Sequence, residues 1–148
     1  MLDGKADVQG KIAVIGGGLV GAETANYLAT HNDDVTIIEM LPEIAGEEPG
    51  SMRKFLMESY EEHHVDIHVN TAVQTINEDK TITVKVGGER KLLGPFDYVL
   101  TAVGLHGNTE LKDVLEDIVP EVKYVGGALQ RGNALDAIRE GYKAGLEV

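Results

Sequence analysis

The sequence predicts an α/β fold: a three-layer domain with a central parallel sheet and a small antiparallel β-meander. Three observations predict it. Short β-rich apolar runs alternate with helical periodicity from residue 11 onward. A run of three glycines stands at the first strand-to-helix junction. Short alternating segments between residues 72 and 93 are broken by Asn77-Glu78-Asp79-Lys80 and Gly87-Gly88, as hairpin strands are.

In chain order, residues 1–10 are polar and aperiodic and read as a linker or tail, with the domain proper at 11–148. Lys11-Ile12-Ala13-Val14-Ile15 is a buried strand that stops at glycine. From Leu19 to Thr30, Leu19, Ala22, Ala25, Leu28 and Ala29 recur at three- and four-residue steps, one face of a helix. His31-Asn32-Asp33-Asp34 is a turn, and Val35-Thr36-Ile37-Ile38 a second buried strand ending at Glu39. The prolines and glycines of Leu41–Gly50 make a loop, the segment expected to be most mobile. Ser51 is placed to cap a helix through about His63, with Phe55, Leu56 and Met57 inward. Val65–Val69 alternates like a strand. Segments 72–77, 81–86 and 90–93 form the meander over one face of the sheet. Tyr98–Val103 is a further buried strand ending at Gly104. A short helix near Glu110–Leu115, a final strand at Val122–Val125 and a closing helix opened by Asn133 or Asp136 complete the chain, for a parallel sheet of about five strands.

Composition narrows the chemistry. The chain has 148 residues, no cysteine and a net charge of −12. Without thiols it offers no disulfide, zinc-thiolate or iron–sulfur ligands. The acidic surface disfavours nucleic acid and anionic membranes, and no apolar run approaches the ~20 residues of a membrane span. This fits a cytoplasmic protein. An anionic ligand must be held locally, by backbone N–H groups at a helix N-terminus. His63, His64 and His68 straddle a predicted helix end, so they read as surface histidines and no metal site is expected. Glu43–Glu48 and Glu58–Glu62 read as solvated faces. No serine has the strand–turn–helix elbow of a hydrolase.

Gly16-Gly17-Gly18-Leu19-Val20-Gly21 is a G-x-G-x-x-G turn that follows a predicted strand, opens a predicted helix and precedes a carboxylate, Glu39, at the end of the next strand. Each position has a task in a Rossmann-like dinucleotide site. Gly16 permits the tight turn, Gly18 lets backbone approach a pyrophosphate, and Gly21 lets the helix lie close on the strands. The first helical N–H groups, including those of Leu19 and Val20, face the phosphates. Glu39 can accept the adenosine ribose hydroxyls and would repel a 2′-phosphate. No arginine follows it, since Met40, Leu41 and Pro42 come next. NAD(H) is favoured over NADP(H). FAD or ADP in the turn, and a nucleotide-sensing or assembly module without redox work, stand as alternatives.

Beyond the turn, several segments resemble the NADH-binding domain of multidomain flavoenzymes related to old yellow enzyme: the 2-enoate reductases, 2,4-dienoyl-CoA reductases and trimethylamine dehydrogenase-like NADH:flavin oxidoreductases. They are Gly4-Lys5, Lys11 through Ala25, Val35 through Leu41, Asp97 through Gly104, and Asn133 through Gly141. The resemblance spans nearly all of residues 4–148. It implies a parent enzyme with an FMN-bearing barrel, an iron–sulfur cluster and an FAD-type domain into which a dinucleotide domain like this one is inserted. Electrons would pass from NADH through flavin and cluster to an activated alkene, an enoate or dienoyl-CoA. This chain, with no cysteine and no second glycine turn, reads as the dinucleotide domain of a larger flavoenzyme. It is an oxidoreductase module that binds NADH beside the flavin-bearing domain of its parent chain, without residues for turnover of its own.

The resemblance also implies roles at single positions. Glu23 lies near the nicotinamide carboxamide and flavin, or is an N-terminal-turn acid complementing the helix dipole. Ala102, Val103 and Gly104 line the nicotinamide side, or Gly104 merely lets the strand end turn. Met40 follows the ribose-binding acid. Val73 is an adenine wall or a core valine. Where the family has Gly-Asp on the FAD phosphate side, this chain has Gly126-Gly127-Ala128, which counts against FAD there.

Overall fold

The computed structural model describes residues 8–31, 34–104, 106–129 and 132–147. The Gly4-Lys5 lead-in and Asn32-Asp33 of the first turn lie outside the described residues. The chain divides into two units, Met1–Val103 and Gly104–Val148.

In the first unit the parallel sheet has four strands, β1 (Lys11–Ile15), β2 (Asp34–Ile38), β3 (Asp66–His68) and β7 (Tyr98–Thr101), in the order β3-β2-β1-β7. β1 and β2 are central and covered on both faces, which is why they are continuously apolar. Successive side chains alternate between the faces. Ile12, Val14, Val35 and Ile37 pack on helices α1 (Leu19–Ala29) and α2 (Gly50–Glu62), with Ala22, Ala25, Leu28, Leu56 and Tyr60. Ala13, Ile15 and Ile38 point the other way and meet Ile82, Val84 and Phe96. That second layer is the meander of β4 (Thr71–Ile76), β5 (Ile82–Val86) and β6 (Glu89–Leu93), antiparallel throughout. The expected three layers are helices, parallel sheet and meander.

Several expectations are corrected. Ser51 does not cap α2: Pro49 is the N-cap residue, no side chain caps the helix, and Ser51 lies within its first turn. A proline just outside a helix supplies fixed φ without needing its missing N–H. Phe55 is exposed, whereas Leu56 and Tyr60, four residues apart, share the inward face. Met57 is half-buried against the same cluster. Among the described residues β7 pairs only with β1 and ends at Thr101, so Tyr98 on this edge and Val103 beyond its end are exposed rather than buried. The 41–50 loop buries Ile44 and Ala45, each at 2% exposure, and so is anchored in the core.

In the second unit, α3 (Lys112–Glu116), a 3₁₀ turn (Gly126–Ala128) and α4 (Ala134–Leu146) are the regular elements among the described residues. Asn133, not Asp136, opens α4: its side chain accepts from the Asp136 N–H. Val122–Val125 is not a strand. It is extended, with Val125 at φ −136° and ψ 153°, but a strand requires a hydrogen-bonded neighbour and none pairs with it among the described residues. Among the described residues the parallel sheet therefore has four strands, not five. No helix of the described residues is long and apolar enough to cross a membrane.

Candidate functional site

β1 delivers the glycine turn to the carboxyl edge of the sheet. Gly16 has φ +102°, a conformation that side chains disfavour, and its N–H extends the ladder to Ile38 O at 2.9 Å. A Cβ there would sit 2.5 Å from Ala102 O, at the end of neighbouring β7. Gly18 is the N-cap residue of α1, and Ala22 N–H makes the first helical bond, 2.8 Å to Gly18 O. The N–H groups of Leu19, Val20 and Gly21 precede that bond and have no side-chain cap. Gly21 is where α1 crosses closest: a Cβ would overlap Gly16 O. The turn is thus packed too closely for side chains at Gly16 and Gly21, and it lies under an uncapped helix N-terminus. A pyrophosphate fits that donor set, since the N–H groups carry the positive end of the helix dipole and need an acceptor.

Glu39 follows β2 and is 7% exposed. Its Oε2 accepts from Gly17 N–H at 2.5 Å and its Oε1 from Leu41 N–H at 2.7 Å. Each carboxylate oxygen keeps a second acceptor site. Met40 and Leu41 are exposed beyond it, and Val20 and Val103 are exposed as well. These residues follow β2, β1 and β7, neighbours in one parallel sheet, so they emerge on the edge where such sheets bind ligands.

The remaining predicted positions separate. Glu23 is exposed and lies past the first turn of α1, which contains no acid, so it does not cap the dipole. Tyr60 OH donates to Ala22 O at 2.6 Å. Burial, with a smaller contribution from the Glu23 charge, pushes that phenol well above its ordinary range. Val73 is half-buried and packs against the cluster between sheet and meander. Gly104 has φ +91° and begins the second unit. There, Gly126 N–H donates to Glu140 Oε2 at 2.6 Å, and Gly126 has φ +57°.

Two features of the site escape the sequence reading. The middle glycine, Gly17, is closely packed: a Cβ would displace the end of the buried Ile44 side chain and stand 3.0 Å from Glu39 Cβ. Ala45 N–H donates to Gly17 O at 2.8 Å. The signal was faint: three glycines where the motif demands two, and one branched apolar residue in a loop of prolines and acids.

The family model for pyridine nucleotide-disulphide oxidoreductases matches residues 3–124. Bilirubin reductase of Mediterraneibacter gnavus (strain CC55_001C) is 40% identical over 136 residues, 91% of this chain and 21% of that protein. NADH oxidase of Thermoanaerobacter brockii is 31% identical over 142 residues, 96% of this chain and 22% of the relative. The solved structure of a 2-naphthoyl-CoA reductase in complex with 2-naphthoyl-CoA superposes with a TM-score of 0.78 at 25% identity, covering 99% of this chain and 22% of that one. The chain therefore spans about a fifth of the length of these proteins.

Proposed function

From a chain that belongs to the pyridine nucleotide-disulphide oxidoreductase family, among its enoate-reductase-like flavoenzymes, we infer the NADH-binding module of a flavin-dependent oxidoreductase. The observation that carries this reading is the uncapped N-terminus of α1 under the glycine turn, with Glu39 at the end of the adjacent strand. Gly18, Leu19, Val20 and Gly21 N–H groups hold the pyrophosphate, while Glu39 accepts the adenosine ribose hydroxyls on its remaining acceptor sites. Val20, Met40 and Val103 are the exposed apolar groups at that edge, suited to cover the faces of the two rings. Ala102 lies beside Gly16, where β7 ends. NADH, when bound, supplies a hydride, which a flavin held by another domain of the parent chain receives.

The parent enzyme, on this reading, reduces an activated alkene such as an enoate or dienoyl-CoA. The second unit supports docking of a flavin-bearing domain: Leu135, Ile138, Tyr142 and Leu146 recur on α4 at helical spacing and are all exposed. The direct test is titration of the chain with NADH, followed by nucleotide fluorescence. NADH should bind and Gly18→Val should abolish binding. NADPH should bind at least tenfold more weakly, since a 2′-phosphate beside a buried carboxylate costs about 1.4 kcal/mol or more. Equal binding of NADPH overturns the ribose assignment, and a yellow protein with flavin absorption would put FAD in the turn instead.

A further inference from the structure

Arg53 lies on α2, far in sequence from the glycine turn, yet it reaches the loop that touches the turn. Its Nε–H donates to Ile44 O at 3.1 Å. Its Nη2 stands 3.6 Å from Glu43 Oε2. The carbonyl that Arg53 holds belongs to the same peptide unit as Ala45 N–H, which donates to Gly17 O. C=O and N–H of a trans peptide point in opposite directions, so fixing one end aims the other. Ala45 is at φ +49°, a left-handed conformation that an alanine keeps only when its surroundings hold it. Arg53 on one side and Gly17 on the other hold its N-terminal peptide, while Glu48 N–H donates to Ala45 O at 3.1 Å and the methyl is buried in the core.

The same geometry repeats one step on. Gly17 O belongs to the Gly17–Gly18 peptide. With that carbonyl turned to Ala45, the Gly18 N–H is turned the opposite way, out of the loop contact. We propose that Arg53 is a positioning residue for dinucleotide binding: through two successive peptide planes, Ile44–Ala45 and Gly17–Gly18, it aims the Gly18 N–H at the pyrophosphate. This rests on the module reading above. Arg53 does not touch the nucleotide. The Glu43 pair is a half-exposed contact that contributes little; the Nε–H bond carries the effect.

The test compares wild type, Arg53→Met, Arg53→Lys and Glu43→Gln by NADH titration, together with amide hydrogen exchange at Ala45 and, as a control in the core, at Val14. Arg53→Met keeps the aliphatic stem and loses the donor. Its Kd for NADH should rise about tenfold, the scale of one hydrogen bond from a charged group. Its Ala45 exchange should accelerate while Val14 stays protected. Arg53→Lys, with a mobile ammonium in place of a fixed N–H, should fall between the two in both readouts, and it carries the test if Arg53→Met does not fold. Glu43→Gln should stay within about twofold of wild type. Wild type that fails to bind NADH overturns the module reading and this proposal with it. Wild type that binds, with Arg53→Met binding equally or with Ala45 exchange unchanged, overturns this proposal alone. Acceleration at Ala45 and Val14 together shows a general loss of stability and overturns it too.

Discussion

Replacing Glu39 by glutamine separates two roles that the sequence merges into one. The carboxylate accepts from Gly17 N–H and Leu41 N–H in a site 7% exposed. Glutamine has the same shape, but only one of its two terminal atoms accepts, so an NH₂ group must face one of the two backbone N–H groups. The loss is one hydrogen bond to a charged acceptor, about 1.5–3 kcal/mol, plus a buried donor without a partner, about 1–3 kcal/mol. It is offset in part because a buried charge has gone. A net destabilisation of about 2–3 kcal/mol follows, a large share of the roughly 5–15 kcal/mol that holds such a domain folded. In a domain of this size it lowers Tm by roughly 5–10 °C. Urea unfolding followed by far-ultraviolet circular dichroism measures it. NADH titration well below the transition then reads the ribose role alone, where a further rise in Kd of about tenfold is expected. An unchanged urea midpoint would refute the argument that Glu39 clasps the turn. An unchanged Kd in the folded variant would leave it a clasp and nothing more.

Other expectations follow from the same geometry. Gly21→Ala sets a Cβ against the Gly16 carbonyl, which is backbone and cannot swing aside; it should cost about 3 kcal/mol or more by urea unfolding and abolish NADH binding. Tyr60→Phe removes the bond to Ala22 O and should cost about 1 kcal/mol near neutral pH. Because the folded-state Tyr60 phenol titrates above its ordinary 10.0, its contribution is complete below pH 10 and lost as pH rises beyond it; wild type should therefore weaken between pH 8 and 11 more than Tyr60→Phe does, by urea midpoints. On the second unit, Lys123 Nζ lies 2.6 Å from Glu147 Oε2 and holds that carboxyl below its ordinary 4.5, so the pair is present above that range and lost as pH falls through the lowered value. Lys123→Met should raise the Glu147 titration, followed by carboxyl chemical shift, toward the ordinary range, with the Lys143 charge still holding it slightly down.

How much was legible in the sequence depends on the range over which each feature is decided. Strand and helix periodicity is local, and so are the turn signals of the meander, so β1, α1, β2 and the three antiparallel strands follow from the residues themselves. The tasks assigned to Gly16 and Gly21 also follow, because strand, turn and helix are contiguous. The inward face of α2 is not decided locally: Phe55 is apolar but lies off the Leu56–Tyr60 stripe, and only the surface the helix meets selects between them.

What the sequence alone determined is a glycine turn between a strand and a helix, with an acid at the end of the next strand. Tertiary structure decided who touches that acid and that turn. Glu39 meets Gly17, twenty-two residues away, and Arg53 reaches Ile44 across a loop. β7 became an edge strand and Val122–Val125 no strand at all, because a ladder is defined by its neighbour. The physical reason is common to all of these: a backbone N–H or carbonyl carries no sequence identity, so its partner is chosen by packing and not by the residues on either side.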